Sequence, residues 1–175
     1  LGNANPDFTY GWNNSFALSL GEQRGSVNLN LYVQGVQGNS IANFNLFSLE
    51  SFDGQKNNST AAWKRWRPDN PSNSYPRANA SPMSNVFSDH QVEDGSYLRV
   101  KDITLSYDFP VSLTRRLNCN AMQMYISAKN AYTFTRYSGY DPEVSRFGQN
   151  NLSMGADYGS YPVPKLYMLG LKINF

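Results

Sequence analysis

Apolar and polar residues alternate with period 2 along five stretches of the chain, the pattern of strands whose two faces meet different surroundings. From Phe8 to Leu20 the even positions carry Phe8, Tyr10, Trp12, Phe16, Leu18 and Leu20, with Asn14 as the exception, and the odd positions carry Thr9, Gly11, Asn13, Ser15, Ala17 and Ser19. A turn-forming run, Gly21 to Gly25, leads into a second strand in which Val27, Leu29, Leu31 and Val33 oppose Asn28, Asn30, Tyr32 and Gln34. The third alternation, Tyr97 to Pro110, places Tyr97, Arg99, Lys101, Ile103, Leu105, Tyr107 and Phe109 on its odd face, which changes from charged to apolar halfway. That change is expected where the outer half of a strand projects beyond a bilayer. A fourth strand sets Met122, Met124, Ile126, Ala128, Asn130, Tyr132 and Phe134 against polar neighbours, and a fifth runs to the end with Tyr167, Leu169, Leu171, Ile173 and Phe175 on one face.

The opposite faces decide the surroundings. Asn28, Asn30, Gln34, Asp102, Thr104, Ser106, Asp108, Gln123, Lys129, Lys172 and Asn174 would each cost several kcal/mol if buried unpaired in a small core, whereas a wide polar lumen suits them. Aromatic residues gather near strand ends, as interfacial girdles do. Connections alternate between short turns, about 21–25 and 111–121, and long loops, about 36–96 and 136–165. Barrels of the outer membrane combine short periplasmic turns with long extracellular loops in this way. The fold class is therefore all-β, an antiparallel transmembrane β-barrel segment. Helices are expected around Ile41 to Leu49 and Thr60 to Trp66 in the first loop, followed by an extended part with Pro68, Pro71, Pro76 and Pro82. Five strands cannot close a barrel, and unpaired edges are not tolerated in lipid, so the chain must pair with more polypeptide.

Composition narrows the alternatives. The 175 residues are 40% hydrophobic, 14% aromatic and only 16% charged, with a net charge of +2. Disorder is excluded by the aromatic surplus and low charge, and nucleic-acid binding by the absence of a basic excess. Asn (21) and Ser (20) dominate instead, a turn vocabulary. The longest apolar run, Leu166 to Leu171, is far short of the roughly 20 residues of a spanning helix. Cys119 and His90 are each the only residue of their kind, which gives neither a disulfide nor a metal spacing. The start at Leu1 carries no targeting signal, so any such signal lies outside this chain, and it fits a nick in a surface loop with both pieces held in one barrel.

Several motifs occur in one order. They are Gly2-Asn3 with Asn5-Pro6; Trp66-Arg67-Pro68-Asp69-Asn70-Pro71 with Pro76-Arg77-Ala78; Val92 to Asp102; Ala128-Lys129-Asn130-Ala131-Tyr132-Thr133-Phe134-Thr135; Tyr137-Ser138-Gly139-Tyr140-Asp141-Pro142-Glu143; and Asp157-Tyr158-Gly159-Ser160-Tyr161-Pro162. With these the chain resembles, over essentially its whole length, the C-terminal part of the SusC/RagA-type TonB-dependent outer-membrane transporters of Bacteroidetes. The family more often has Gly-Gln-Asn-Leu where Ala128 to Ala131 stand. The resemblance implies about the last five strands of a barrel of about 22, with the plug in the absent N-terminal part. It implies energised uptake of a bulky nutrient, a glycan or oligopeptide. Its partners would be a SusD-like surface lipoprotein, the TonB-ExbB-ExbD complex through the N-terminal part, and outer-membrane lipid. Tyr167, Gly170, Leu171, Ile173 and Phe175 resemble the terminal signal read by the barrel assembly machinery.

Substrate contacts would come from loop aromatics: Trp63, Trp66, Tyr75, Tyr137, Tyr140, Tyr158 and Tyr161 could stack on sugar rings or peptide side chains. The same rings could instead pack loop on loop or against the lipoprotein. Lys64, Arg65 and Arg67 read as a solvated face with Glu50, Asp53 and Asp69 nearby. Asp141, Glu143 and Asp157 lack calcium-loop spacing, and no nucleophile, base and orienting set is visible. Neither cofactor, metal nor enzymatic activity is expected. The competing readings are a secreted β-sandwich carbohydrate-binding module and a passive porin or adhesin barrel.

Overall fold

A computed structural model describes residues 2–52, 57–78, 86–143 and 154–175. Asp53 and Pro82 lie outside the described residues, as does Leu1. The strands are β1 (Phe8–Ser19), β2 (Ser26–Gln37), β3 (Ser40–Asn43), β4 (Val92–Asp94), β5 (Tyr97–Asp108), β6 (Ala121–Thr135), β7 (Ala156–Asp157) and β8 (Leu166–Asn174). The described residues also include two short helices, α1 (Phe44–Leu49) and α2 (Val111–Arg116), and 3-10 turns at Thr60–Lys64 and Asp89–Gln91. None of the described helices is long and apolar enough to cross a membrane. The chain divides into a sheet unit (8–37, 97–135 and 163–175) and a loop unit (1–7, 38–96 and 136–162).

The sheet unit is one antiparallel sheet in the order β1-β2-β5-β6-β8. β1 and β2 pair over their full length, from Phe8 opposite Gln37 to Ser19 opposite Ser26. The intervening turn is closed by Leu20 N–H donating to Gly25 O at 2.9 Å. Gly25 has φ +76°, and a Cβ there would lie 2.0 Å from the Asp108 carbonyl oxygen, so the turn needs glycine on both grounds. Apolar side chains line one face, including Trp12, Phe16, Leu18, Leu105, Ile126, Leu169 and Leu171, all exposed. On the other face the polar groups bond to each other across strands. The Asp108 carboxylate accepts from Asn28 Nδ2 at 2.6 Å, Gln123 Nε2 at 2.7 Å and Ser26 Oγ at 3.2 Å. Further along, Arg99 Nε donates to Thr133 Oγ1 at 2.7 Å and Ser15 Oγ to Asn30 Oδ1 at 2.6 Å.

A bulge corrects the expectation for the third strand. Tyr32 pairs with Asp102 while Val33 pairs with Val100, so Lys101 is an extra residue in β5. On the other side Asp102 pairs with Lys129 and Val100 with Tyr132, which leaves Asn130 and Ala131 opposite Lys101. One extra residue moves the side chains of a strand to the other face. Leu98 and Val100 therefore share the apolar face with Ile103, Leu105 and Tyr107, while Tyr97 and Arg99 belong to the polar face and are buried, Arg99 to 2% exposure. The apparent change from charged to apolar along one face is a change of phase at Lys101. Asn130 takes the left-handed conformation the bulge requires, φ +52°, and its Nδ2 donates to the Pro164 carbonyl at 3.1 Å just before β8.

Two further glycines mark close approaches. A Cβ on Gly35 would meet the Tyr10 ring at 2.2 Å, and one on Gly170 would meet the Tyr125 ring at 2.3 Å. Each tyrosine lies directly across the sheet from its glycine and covers backbone that a side chain would otherwise shield.

The loop unit has its own small sheet in the order β4-β3-β7, with β3 antiparallel to β4 and parallel to β7. The helix expected over Ile41 to Leu49 starts only at Phe44, because Ser40 to Asn43 are strand and Asn43 caps the helix, its Oδ1 accepting from Asn45 N–H. The helix expected over Thr60 to Trp66 is a single 3-10 turn ending at Lys64. In the sheet unit the short connection near 111–121 contains α2, whose six residues from Val111 to Arg116 are too few to signal a helix by periodicity.

Candidate functional site

The centre of the loop unit is a buried polar latch. Asp157 is fully buried and Asn43 nearly so, at 0% and 1% exposure. The Asp157 carboxylate accepts from Tyr137 Oη at 2.6 Å and from the backbone N–H groups of Gly159 and Ser160 at 2.8 and 3.1 Å. Glu93 accepts from Asn43 Nδ2, Ser138 N–H and Ser138 Oγ, each at 2.8 Å. Four stretches of the chain, at Asn43, Glu93, Tyr137–Ser138 and Asp157–Ser160, are thereby tied together. Burial, then the hydrogen bond to Asp157 and the negative charges of Asp157 and Glu93, push the Tyr137 phenol up from its ordinary value, so it stays a neutral donor. At the rim of this unit the hydroxyl and N–H of Ser96 hold the Asp94 carboxyl below its ordinary value, with Arg136 adding to the effect.

Beside the latch lies a cleft of about 540 Å³ lined by Asn43, Asn45, Leu46, Ser48, Leu49, Ser138, Gly139, Tyr140 and Gly159. Among the described residues its lining carries no charged side chain. Amide and hydroxyl groups of Asn43, Asn45, Ser48 and Ser138 are among its lining, while the Asn45 Nδ2 atom itself is buried with no hydrogen-bond partner among the described residues. At its edge Tyr140 stands 75% exposed. Such a lining can take a neutral ligand rich in hydroxyl or amide groups, with a ring face for stacking.

The seven loop aromatics do not converge on one place. Tyr140 lines the cleft, and Tyr158 stacks on Phe44 with ring centroids 4.2 Å apart. Tyr137 is buried in the latch, which removes it as an open stacking face and gives it the packing role instead. Tyr75 is half-buried, edge-on to Phe52 and to His90 at 6.2 and 5.5 Å. Burial and the Glu50 carboxylate push its phenol up, and His90 Nε2 lies 2.6 Å from Glu50 Oε2. Trp66 joins Tyr75 in a second, shallower hollow of about 400 Å³ with Ser72 and Arg77. Trp63 and Tyr161 are exposed. Of the basic cluster, Arg65 donates to the Ala62 carbonyl at 3.0 Å, and Arg67 faces Asp69 at 3.7 Å, too long for a hydrogen bond. Asp141 accepts from Glu143 N–H at 2.9 Å, and no group of three metal-ligating side chains occurs among the described residues.

Sequence reasoning missed Asn43, Asn45, Glu93 and Ser138. The one local signal was the Asn-x-Asn spacing of a helix cap; the rest depends on long-range pairing.

No family model matches the sequence. Across its whole length the chain is 32% identical to TonB-dependent receptor P3 of Formosa agariphila, and it spans 17% of that protein. TonB-dependent receptor SusC of Bacteroides thetaiotaomicron is 29% identical over 54% of the chain, or 9% of its own length. Among solved structures, the RagAB peptide importer in its closed-closed state superposes with a TM-score of 0.82 at 26% identity, covering 98% of this chain and 18% of the matched one. The sheet is thus an arc of an antiparallel barrel wall, and the chain is a segment of a TonB-dependent outer-membrane receptor of the SusC/RagA type.

Proposed function

We propose that this segment is the C-terminal part of the barrel of an active importer, with its tight turns in the periplasm and its loop unit at the cell surface. The observation that carries the reading is the five-stranded sheet with one largely apolar face, a hydrogen-bonded polar face and two strand edges, β1 and β8, left for further strands. A secreted sandwich would also show one apolar and one polar face; the likeness over the whole chain to TonB-dependent receptor P3 of Formosa agariphila favours the barrel instead. The whole transporter would take up a bulky glycan or oligopeptide with energy from TonB-ExbB-ExbD, under a SusD-like lipoprotein, and would catalyse no covalent step.

Within the segment the uncharged cleft at Tyr140 is the contact point for cargo. The exposed stacking face of Tyr140 would meet a sugar ring or a peptide bond. Uptake of labelled oligosaccharide and oligopeptide mixtures by cells with and without the transporter, each measured with and without the proton-motive force, tests the reading. Uptake that collapses with the gradient is expected, and equal uptake in both states would refute the TonB assignment. Tyr140→Ala should weaken binding of the imported class about tenfold, the loss of roughly 1.5 kcal/mol of stacking, and unchanged affinity would remove the cleft from the path of the cargo.

A further inference from the structure

The shallower hollow of the loop unit joins an indole and a guanidinium that have no partner of their own among the described residues. The run from Trp66 to Asn70 folds back on itself, Arg67 and Asn70 exchanging backbone hydrogen bonds at 3.1 and 3.0 Å. Trp66 N–H is shared between the carbonyls of Tyr75 and Pro76 at 3.2 and 3.3 Å. Ser72 Oγ pins the facing stretch by accepting from the backbone N–H groups of Ser74 and Tyr75 at 3.2 and 3.3 Å. These bonds set Trp66 beside Arg77 in a parallel bridge, and residues directly opposite in such a pair carry their side chains on the same side. Both accordingly line the hollow of about 400 Å³, together with Tyr75. Trp66 is half-buried and meets no other ring, and the exposed Arg77 guanidinium has neither a hydrogen-bond nor an ion-pair partner among the described residues. Two acids of the same loop unit are engaged elsewhere, Asp69 facing Arg67 at 3.7 Å and Glu50 lying 2.6 Å from His90 Nε2. The described lining is therefore cationic, whereas that of the cleft at Tyr140 is uncharged.

We propose that this hollow is a second cargo subsite, which takes a carboxylate-bearing residue: Arg77 receives the carboxylate, and the Trp66 and Tyr75 rings receive the ring or chain that bears it. Three features together choose that occupant. A guanidinium fork matches the two oxygens of a carboxylate. The indole and phenol rings lining the same hollow supply apolar faces, which a small inorganic anion would leave unused. Ser72, Asn73 and Ser74 add hydroxyl and amide groups to the lining, suited to sugar hydroxyls or peptide groups. The carboxylate would belong to a uronic-acid sugar or to an acidic or C-terminal peptide residue, two sources of one chemistry. The inference deepens the importer reading above and rests on it. It would give the loop unit two cargo contacts of different charge, so that a chain neutral at one residue and anionic at another is selected over a uniformly neutral one.

The test uses the full-length transporter purified in detergent and probes paired so that they differ only in a masked carboxylate. One pair is an oligogalacturonate and its methyl ester; the other is a peptide with Asp, Glu and a free C-terminus and its amidated Asn and Gln counterpart. Isothermal titration calorimetry should show the free acid of one pair binding about tenfold more tightly than its masked form, the worth of a charge-assisted hydrogen bond at an exposed site. The pair that shows the preference identifies the source. Arg77→Gln should remove the preference while leaving the masked probe within about twofold, Arg77→Lys should keep about a third of it, and Trp66→Ala should weaken both members alike. No preference in either pair, or one that survives Arg77→Gln, would overturn the proposal. Lipopolysaccharide binding that Arg77→Gln abolishes, with neither pair discriminated, would overturn it in favour of a membrane-surface contact. If the Gln variant fails to assemble, the Lys variant and the salt dependence of the wild-type preference, expected to fall several-fold between low and high salt, provide the comparison. Uptake indifferent to the proton-motive force would refute the importer reading and leave the carboxylate preference standing. Uptake that needs the gradient, with equal affinity for free and masked probes, would refute the subsite alone.

Discussion

Replacing Tyr137 by Phe isolates a single hydrogen bond at the centre of the loop unit. The ring and its packing stay, while the Tyr137 hydroxyl, 2.6 Å from Asp157 Oδ2, is lost. Both residues are buried, at 6% and 0% exposure, so water cannot replace the donor without opening the latch. Asp157 keeps its two backbone donors from Gly159 and Ser160, but both go to Oδ1, which leaves Oδ2 without its donor. A hydrogen bond to a charged acceptor contributes about 1.5–3 kcal/mol; at ~2 kcal/mol the open fraction of the loop unit should rise about 30-fold. Native-state hydrogen exchange on the detergent-solubilised transporter reads this directly, in peptides covering 38–43, 92–94 and 154–160, with β5 and β6 amides as the internal reference. A change of less than about threefold, or one that appears equally in the sheet, would refute the latch. The pH dependence gives a second reading. Because Tyr137 is raised in the native protein, its stabilisation is complete below the unfolded value near 10 and declines as pH rises beyond it, where the unfolded chain releases the proton first. Tyr137→Phe should abolish that alkaline weakening of the loop unit.

Gly170→Ala should lower the temperature at which the barrel loses its compact mobility in detergent electrophoresis, by the equivalent of about 1 kcal/mol, because the new Cβ displaces the Tyr125 ring; in a Tyr125→Ala background the same change should cost nothing. Gly35→Ala should behave alike against Tyr10. Asn130→Ala should destabilise by roughly 1–2 kcal/mol, since alanine tolerates φ +52° poorly. Asn130→Gly should cost less, losing only the bond to the Pro164 carbonyl; the reverse order would show that the bulge is not what holds Asn130.

The barrel wall was legible in the sequence because lipid on one side and polar groups on the other force alternation, which Phe8 to Leu20 and Met122 to Thr135 keep except at Asn14 and Asn130, although a sandwich sheet would show the same period. Where the alternation slipped, at Arg99 and Lys101, the slip was explained by a bilayer boundary, but it marks a bulge. Period alone cannot distinguish a strand whose surroundings change from one that gains a residue; the Asn130 motif was the clue, as asparagine is one of the few residues at home in the left-handed region. The small sheet stayed hidden because strands of two to four residues, such as Ala156–Asp157, have no measurable period. Loop aromatics were identified as a class, yet only packing could separate Tyr137, spent on Asp157, from Tyr140, open beside the cleft.

The parallel bridge between Ala42 and Ala156 joins residues about 114 positions apart. Closing a loop of that length is entropically slow, and the loop encloses β5 and β6. The short pairing of β3 with β4 and the long closure of β3 on β7 therefore differ in rate: the loop unit is completed when Asp157 reaches Tyr137. The same interleaving sets a rule for engineering. Residues 38–96 grafted alone into another barrel would carry an unfinished sheet, so a functional transplant must move the segment 136–162 with them.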